Sequence, residues 1–182
     1  MSRKYKFRDN EKLYFVSFAV VYWIDVFIRN EYKEVLLESL RFCQKEKGLE
    51  VYAWCIMTSH IHLIIGSNNK PLSDIMRDLK SHTSRELKKE ILSHPQESRR
   101  EWMLWMMKRA GLKNGNNKDF QFWQQHNHPL ELDNNTIKDN TLEYIHNNPI
   151  EAGFVDKQED YLYSSARDYM GIQGKLQIIL IE

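Results

Sequence analysis

The 182-residue sequence is poor in cysteine, proline and glycine, and it has no long uncharged apolar run. Its two cysteines, Cys43 and Cys55, form no Cys-x-x-Cys pair, which argues against a disulfide scaffold and a four-ligand zinc site. Four prolines and seven glycines exclude a collagen-like or linker-rich chain. The longest apolar stretch, residues 14–28, contains Ser17 and Asp25 and is shorter than the roughly 20 residues that span a bilayer. The N-terminus shows no apolar leader, so we expect a cytoplasmic protein without a membrane partner.

The composition is typical of a folded domain. Hydrophobic residues make up 42% of the chain and aromatic residues 12%, which is enough to build a core and excludes intrinsic disorder. At roughly 150 residues per domain, the length predicts one domain. We assign it to residues 1–182, with a core over about residues 10–150 and a C-terminal extension over about residues 151–182.

Charge is balanced over the whole chain, at +1, but it is distributed unevenly. Residues 1–12 carry +3 and residues 77–118 carry +6, whereas residues 119–182 carry −7. A basic start and middle with an acidic end is expected when one face of a protein binds a polyanion. The alternative is that like charges cluster by chance on solvated helices.

The hydrophobic pattern predicts alternating strands and helices. Strands are expected over residues 13–21, 49–57, 60–66 and 120–123, and helices over about 30–47, 72–92 and 134–147, the last ended by Pro149. Residues 93–119 show no clear pattern. The order predicts an α+β, ferredoxin-like split β-α-β fold, in which a β-α-β-β-α-β unit forms an antiparallel sheet with two helices on one face. The C-terminal helix then lies at the edge or on the open face.

His60-Ile61-His62 begins the third predicted strand. Because side chains alternate along a strand, His60 and His62 leave the sheet on one face, while Ile61 and Leu63 point to the helix-covered face. Two neutral imidazoles at this spacing have a metal-ligand geometry with open coordination positions, as a catalytic ion requires. The alternative is a pair of half-exposed polar positions on a strand.

A second motif, residues 144–149 (YIHNNP), lies in the last predicted helix. Residues i and i+4 share a helix face, so Tyr144 and Asn148 are neighbours. A phenol beside a carboxamide oxygen can supply a nucleophile and a metal ligand together. The alternative is an ordinary tyrosine at the edge of the core, followed by an Asn-Pro helix stop.

Together the two motifs resemble those of a known enzyme family. Residues 57–65 (MTSHIHLII) resemble the His-hydrophobic-His (HUH) motif of single-tyrosine transposases, and residues 144–155 (YIHNNPIEAGFV) resemble the tyrosine helix of their REP-associated branch. Residues 122–125 and 161–166 are similar to two further family segments, in the same order. The resemblance covers about residues 10–170. It departs from the family at Thr58-Ser59, where Pro-Asn is usual.

The resemblance implies a transposase that cleaves single-stranded DNA near hairpin or palindromic sequences. It implies that His60, His62 and Asn148 hold Mg²⁺ or Mn²⁺ against the scissile phosphate, and that Tyr144 attacks to give a 5′-phosphotyrosine and a free 3′-OH. A divalent ion neutralises the phosphate, and a phenol with a pKa of about 10 needs activation at neutral pH. His146 is expected to be non-catalytic. The resemblance leaves open whether the protein acts as a monomer or as a homodimer.

Basic side chains available to DNA phosphates lie along the second predicted helix and in the N-terminal tail. We expect DNA to be bound by Arg77, Lys80, His82, Arg85, Lys88 and Lys89 of the helix and by Arg3, Lys4, Lys6 and Arg8 of the tail. Such binding weakens steeply with salt. The alternative is a solvated helix face stabilised by pairs such as Glu86 with Lys89.

Two other groups of side chains are assigned no role in catalysis or DNA binding. His126 and His128 have no third ligand at zinc spacing and are interpreted as loop residues. The Trp/Met cluster at residues 102–107 is interpreted as packing rather than as a base-stacking platform.

Two alternatives to a tyrosine transposase stay open. The same fold can bind DNA or RNA hairpins without cutting them, although the third predicted strand carries two histidines in place of an RNA-binding aromatic motif. A metal-dependent nuclease that uses water as nucleophile is the other alternative. Water-based hydrolysis survives the substitution Tyr144→Phe, and tyrosine attack does not.

Overall fold

In the computed structural model, the chain is described at residue 7 and over residues 9–115, 119–125, 127 and 129–181. The strands are β1 (Tyr14–Ala19), β2 (Leu49–Ile56), β3 (His60–Ser67) and β4 (Leu130–Glu131). The helices are α1 (Asn30–Lys47), α2 (Leu72–Ser93), α3 (Arg100–Leu112), α4 (Asn135–Glu151) and α5 (Ala166–Tyr169). Short 3-10 turns lie at Val21–Trp23, Val26–Ile28 and Gln158–Asp160.

The strands form one antiparallel sheet in the order β2-β3-β1-β4. Since β3 lies between β1 and β2, and β1 lies between β3 and β4, each β-α-β unit is split by a strand, as the sequence predicts for a ferredoxin-like fold. The β1–β3 register places Ser17 opposite His62 and Ala19 opposite His60. The end of β1 therefore lies beside the start of β3.

One face of the sheet packs against α1 and α2. Leu63 of β3 and Val16 of β1 are fully buried there, together with Leu37 of α1 and Ile75 of α2. The buried residues alternate along the strands and recur at helical spacing in α1 and α2, so each element has one apolar face. This pattern is visible in the sequence, which is why these strands and helices could be predicted. Gly48, in the left-handed conformation at φ 73°, ends α1.

The other face is covered by α4. Ile145 of α4 is buried against Ala53, Cys55 and Ile64 of the sheet. His146 Nε2 lies 2.9 Å from Ser165 Oγ. The C-terminal helix therefore lies on the open face of the sheet, one of the two positions that the sequence allows.

The C-terminal segment fixes the outer edge of β2. A single β-bridge joins Cys55 to Ser164, and the N–H of Ile56 donates to the carbonyl of Tyr163 at 2.9 Å. These bonds occupy backbone groups that a free edge strand would leave open. The segment thereby anchors the chain that follows α4 to the sheet.

The predicted strand over residues 120–123 is wrong. This segment makes a single bridge, between Val20 and Trp123, and the fourth strand is β4, further along the chain. Phe122 and Trp123 are both buried, so the segment lacks the in-out alternation of a regular strand.

The predicted helix stop at Pro149 is also wrong, because α4 continues to Glu151. The N–H of Ala152 still donates to the carbonyl of Asn148 at 3.0 Å. Gly153, at φ 72°, then allows the N–H of Phe154 to reach the carbonyl of Pro149, and the helix ends.

Residues 93–119 contain α3, which had no clear signal in the sequence. Met103 and Met107 are buried, whereas Trp102 and Trp105 are exposed. The packing interpretation of this cluster therefore holds for the methionines and fails for the tryptophans. Within the described part of the chain, no helix is both long and apolar enough to cross a membrane.

Candidate active site

His60 and His62 project from β3 on the face that α4 covers. Their ring centroids are 4.7 Å apart, with the rings nearly perpendicular. Ile61 and Leu63 point to the opposite core, as alternation predicts. The sequence prediction that the two imidazoles share a face is confirmed.

His62 has the chemistry of a metal ligand. It is 3% exposed, and among the described residues neither ring nitrogen has a hydrogen-bond partner. Burial and, to a lesser extent, neighbouring His60 lower the pKa of His62 to about 3, although the side chain of Asn148 acts in the opposite direction. The imidazole is therefore neutral at pH 7, and its buried ring nitrogens have the side-chain amide of Asn148 as a polar neighbour.

His60 is held by the turn between β2 and β3. Ser59 Oγ lies 3.2 Å from His60 Nδ1, and Thr58 Oγ1 donates to Asp25 Oδ1 at 2.6 Å. Burial lowers the pKa of His60, while the carboxylate of Asp25 raises it. Ser59 therefore contacts the first histidine directly, and Thr58 ties the same turn to Asp25.

Tyr144 lies beside the two histidines. Its ring centroid is 5.3 Å from that of His62, edge to face, and 6.1 Å from that of Phe15. Phe15 in turn stacks on His62 at 5.6 Å. Tyr144 is 46% exposed, so a phenol next to the buried imidazole is still open to a large substrate.

Asn148 lies one turn after Tyr144 on the same face of α4. Its Nδ2 donates to the carbonyl of Tyr144 at 2.7 Å. This bond holds the side-chain amide in place. The amide oxygen, which can bind a metal ion, takes no part in the bond. Asn148 also lies near enough to His62 to shift its pKa, so the structure brings together all four residues predicted to form the site.

These residues fit a divalent cation. Among the described residues, there is no cluster of three or more histidine, cysteine, aspartate or glutamate side chains with metal-site geometry. The set at β3 and α4 is of another kind, with two imidazoles and one carboxamide. The unpartnered nitrogens of His62 are the observation that favours a missing ligand there, since buried polar atoms are otherwise nearly always paired.

The helix α2 lies on the opposite face of the sheet from the two histidines, so its basic residues are not part of this cluster. Arg77 pairs with Asp74 at 2.7 Å and with Asp78 at 3.2 Å. Lys89 pairs with Glu86 at 2.7 Å, which is the pair that the solvated-helix alternative predicts. Both cations have acidic partners in the protein.

Two other lysines of α2 also have partners. Lys80 Nζ donates to the carbonyl of Gln124 at 2.8 Å and to Asn127 Oδ1 at 2.7 Å, and burial lowers its pKa to about 8. Lys88 Nζ lies 4.5 Å from the ring centroid of Phe120. Lys80 therefore fastens the segment beside β1 to α2.

His82 and Arg85 are exposed and line a groove between α1 and α2. The same groove is also lined by the carboxylates of Glu38, Asp78, Glu86 and Glu90, so a phosphate could contact His82 and Arg85 only from the solvent side. The remaining candidates lie outside the described residues: Arg3, Lys4, Lys6 and Arg8 of the N-terminal tail, and the loop residues His126 and His128.

His146 lies away from Tyr144, as expected for a non-catalytic residue. It is buried, its ring contacts Tyr169 at 5.2 Å, and burial lowers its pKa to about 4. Ser165 Oγ lies 2.9 Å from His146 Nε2 and also accepts the N–H of Trp54 at 2.9 Å. This chain of bonds links α4 to β2.

Sequence reasoning missed two residues near the histidines, Trp23 and Asp25, and the exposed Tyr22 that precedes Trp23. The ring of Trp23 contacts that of His60 at 5.4 Å, Tyr22 precedes it with an exposed side chain, and Asp25 acts on the pKa of His60. In the sequence these residues belong to an apolar run that carries no signal of a site. Their position depends on a backbone conformation that only the tertiary structure shows.

Comparison with known proteins identifies the family. A family described as "Transposase IS200 like" matches residues 14–108, a segment that includes His60 and His62 and ends before Tyr144. A solved REP-associated tyrosine transposase, bound to a REP hairpin, is similar over 100% of this chain and 94% of its own, with a TM-score of 0.66 and 17% identity. This likeness shows a shared fold.

A second solved structure is a putative transposase from Deinococcus radiodurans, with a TM-score of 0.44 and 21% identity over 81% of this chain and 95% of its own. No curated protein sequence matches the chain. The family match covers more than half of the sequence and contains the histidine strand. On that ground, the chain belongs to the IS200-like transposase family.

Proposed function

We propose that the protein cleaves and rejoins single-stranded DNA near hairpins by nucleophilic attack of Tyr144, as a step of DNA transposition. The observation that carries the proposal is the contact of Tyr144 with His62, whose ring centroids lie 5.3 Å apart. The two buried nitrogens of His62 have no hydrogen-bond partner among the described residues. A nucleophile beside unsatisfied ligand atoms is the arrangement that metal-assisted phosphoryl transfer needs.

In this proposal His60, His62 and Asn148 hold the metal ion. A bound Mg²⁺ or Mn²⁺ supplies charge neutralisation at the scissile phosphate and stabilises the leaving oxygen. The buried imidazole of His62 stays neutral because burial lowers its pKa to about 3, so its lone pair is available at neutral pH. The bond from Asn148 Nδ2 to the Tyr144 carbonyl links the side-chain amide of Asn148 to the turn of α4 that carries Tyr144.

The chemical step involves Tyr144 directly. Its hydroxyl oxygen forms a bond to phosphorus and loses its proton, the bond from phosphorus to O3′ breaks, and O3′ takes up a proton to give a free 3′-OH. The 5′-phosphate then stays on Tyr144 until a second 3′-OH attacks it and releases the phenol. The exposure of Tyr144, 46%, gives a DNA strand access to the attacking oxygen.

The DNA partner is proposed to carry a hairpin. The solved relative of the same fold is described as bound to a REP hairpin. The exposed His82 and Arg85 of α2 remain proposed phosphate contacts.

A denaturing gel tests this proposal. Labelled single strands spanning the palindromes that flank the gene are incubated with the wild type or Tyr144→Phe, in Mn²⁺ or EDTA. We expect a protease-sensitive slow band that requires the metal and is absent from Tyr144→Phe. Tyr169→Phe, which removes a hydroxyl that accepts from Ile181 and donates to Tyr52, is the matched control and keeps the band.

The other results assign the function differently. Cleavage that persists in Tyr144→Phe replaces the tyrosine with water as nucleophile. A native-gel shift without cleavage identifies a hairpin-binding module. Absence of both cleavage and shift contradicts the assignment of DNA as substrate.

A further inference from the structure

The segment that follows β1 has an unusual backbone. Tyr22 and Trp23 both have φ of 56°, which lies in the left-handed region of backbone conformation. Residues other than glycine rarely adopt this region, and for bulky side chains it is especially unusual. Two consecutive aromatic residues in this region are strained, and such strain persists only where surrounding contacts impose it. The strained backbone conformation of Tyr22 and Trp23 therefore calls for a structural or functional explanation.

Contacts on both sides impose this conformation. Before the two aromatics, the N–H of Val20 donates to the carbonyl of Ser59 at 2.9 Å. After them, Asp25 accepts from Thr58 Oγ1 at 2.6 Å, and Arg99 Nη1 donates to the carbonyl of Asp25 at 2.9 Å. The two aromatic residues are thus held between fixed points.

The side chains themselves are directed outward. Tyr22 is 44% exposed and Trp23 is 58% exposed, although the anchors around them are buried or paired. A core would bury these rings, because aromatic side chains bring the largest apolar area. The strained backbone therefore serves to display two aromatic faces to solvent.

The ring of Trp23 lies next to a histidine of the site, and the ring of Tyr22 lines a cavity. Trp23 contacts His60 with ring centroids 5.4 Å apart. Tyr22 lines a cavity of about 520 Å³ with the amide side chains of Gln121, Gln124 and Gln125. A strand that crosses Trp23 and Tyr22 runs from the histidine pair into a cavity lined by hydrogen-bonding amides.

We propose that Tyr22 and Trp23 form a stacking platform for unpaired bases of the DNA strand next to the scissile phosphate. The inference rests on the proposed function, because it places the bases beside His60. Every base has a π-face, so stacking on tyrosine and tryptophan holds a single strand without selecting its sequence. In the cavity, Gln121 Nε2 donates to the carbonyl of Trp123 and Gln124 Nε2 to that of Val20. The amide of Gln125 is therefore the one that we propose for a donor and an acceptor to a base edge.

Binding to short oligonucleotides tests the platform. Fluorescence anisotropy is measured with labelled single strands of twelve adenines, of twelve thymines, and of twelve abasic sites, all in the Tyr144→Phe background so that no strand is cut. Base stacking on an aromatic side chain contributes about 1–3 kcal/mol, so Trp23→Ala weakens binding to both base-containing strands by roughly 5- to 150-fold. Binding to the abasic strand stays unchanged.

Two further variants separate stacking from folding. Trp23→Gly adopts a positive φ without strain, so it stays folded and still loses the affinity. Trp23→Tyr keeps an aromatic face and retains most of the affinity. Trp102→Ala removes an indole of similar exposure, 50%, from α3 and is the matched control.

The inference is overturned if Trp23→Ala and Trp23→Gly bind the base-containing strands as the wild type does. It is also overturned if they lose affinity equally for the abasic strand. If the wild type forms the covalent adduct and these variants bind normally, the stacking proposal is wrong and the proposed function stands. If the wild type binds no single strand, the proposed function fails together with it.

Discussion

Single side chains in the turn between β2 and β3 control the position of His60. Ser59 Oγ lies 3.2 Å from Nδ1. In the tautomer whose Nδ1–H donates to Ser59, Nε2 keeps its lone pair for a metal ion. In that tautomer the contact with Ser59 would orient the ring of His60 and leave Nε2 as the ligand atom of the proposed metal site.

Ser59→Ala tests this role. We expect the Mn²⁺ concentration at half-maximal adduct formation to rise by roughly 10- to 100-fold, since loss of a residue that orients a metal-ligating histidine has effects of this size. At saturating Mn²⁺ the adduct is recovered. Ser81→Ala, at an exposed position of α2, is the control, and an unaltered Mn²⁺ dependence of Ser59→Ala would falsify the role.

The residues predicted from sequence are those that local geometry determines. Strand alternation places His60 and His62 on one face, and helical spacing places Tyr144 beside Asn148. Trp23 and Asp25 could not be found in this way, because their position depends on a φ of 56° at two residues. That conformation is imposed by distant contacts, such as the bond from Arg99.

At the scale of elements, a buried carboxylate joins α1 to the connection between α2 and α3. Glu97 Oε2 accepts from Arg29 Nε at 3.0 Å and from the hydroxyl of Tyr32 at 3.2 Å. Its Oε1 accepts from Arg99 Nε at 3.1 Å. Because Arg99 also holds Asp25, the same carboxylate supports the segment that displays the two aromatics.

Glu97 is expected to make stability depend on pH. Burial would raise the pKa of Glu97, but hydrogen bonds from Arg99 and Arg29 outweigh it and lower the pKa to about 2, from an ordinary 4.5. The folded protein thus binds this proton less readily than the unfolded chain, so the stabilisation is present above about pH 4.5 and is lost as pH falls towards 2. At 1.36 kcal/mol for each unit of pKa, it amounts to about 3 kcal/mol.

Urea unfolding of wild type and Glu97→Gln between pH 3 and pH 7 checks this expectation. The variant is less stable by about 3–5 kcal/mol at pH 7, because two arginines lose a buried partner. The difference narrows as the pH falls. Glu38→Gln, at an exposed position of α1, follows the wild type, and a difference that does not change with pH would contradict the assignment to Glu97.

Elements with one apolar stripe were predictable, and elements without one were not. α2 buries Leu72, Ile75 and Leu79 on a single face, and its bounds differ from the prediction by one residue. α3 carries exposed tryptophans beside buried methionines, so its pattern has no clear face. The segment over residues 120–123 misled because Phe120 and Phe122 alternate with Gln121 as in a strand, whereas the adjacent Phe122 and Trp123 are both buried, which breaks the alternation of a strand with one covered face.

For the whole molecule, the sheet separates two surfaces. α4 and the histidines lie on one face, and α1 and α2 cover the other. The predicted DNA-binding residues of α2 are therefore on the far side of the sheet from Tyr144. DNA that contacts both surfaces has to pass around an edge or an end of the sheet.

This separation predicts different behaviour for two basic residues of α2. Arg85 is exposed, so Arg85→Ala reduces the slope of log affinity against log salt by about 0.7 for a single-stranded phosphate contact. Lys80 is bonded to Gln124 and Asn127, so Lys80→Ala lowers the free energy of unfolding and leaves the slope unchanged.

Anisotropy titrations from low to moderate salt measure the slope, and urea unfolding measures stability. Arg77→Ala serves as the comparison, since Arg77 already pairs with Asp74 and Asp78 and its loss changes the slope less than that of Arg85. If Lys80→Ala changes the slope as much as Arg85→Ala, the lysine contacts DNA. Two of the three N–H groups of the Lys80 ammonium are bonded to Gln124 and Asn127, so a phosphate contact then uses the third N–H or replaces one of these bonds.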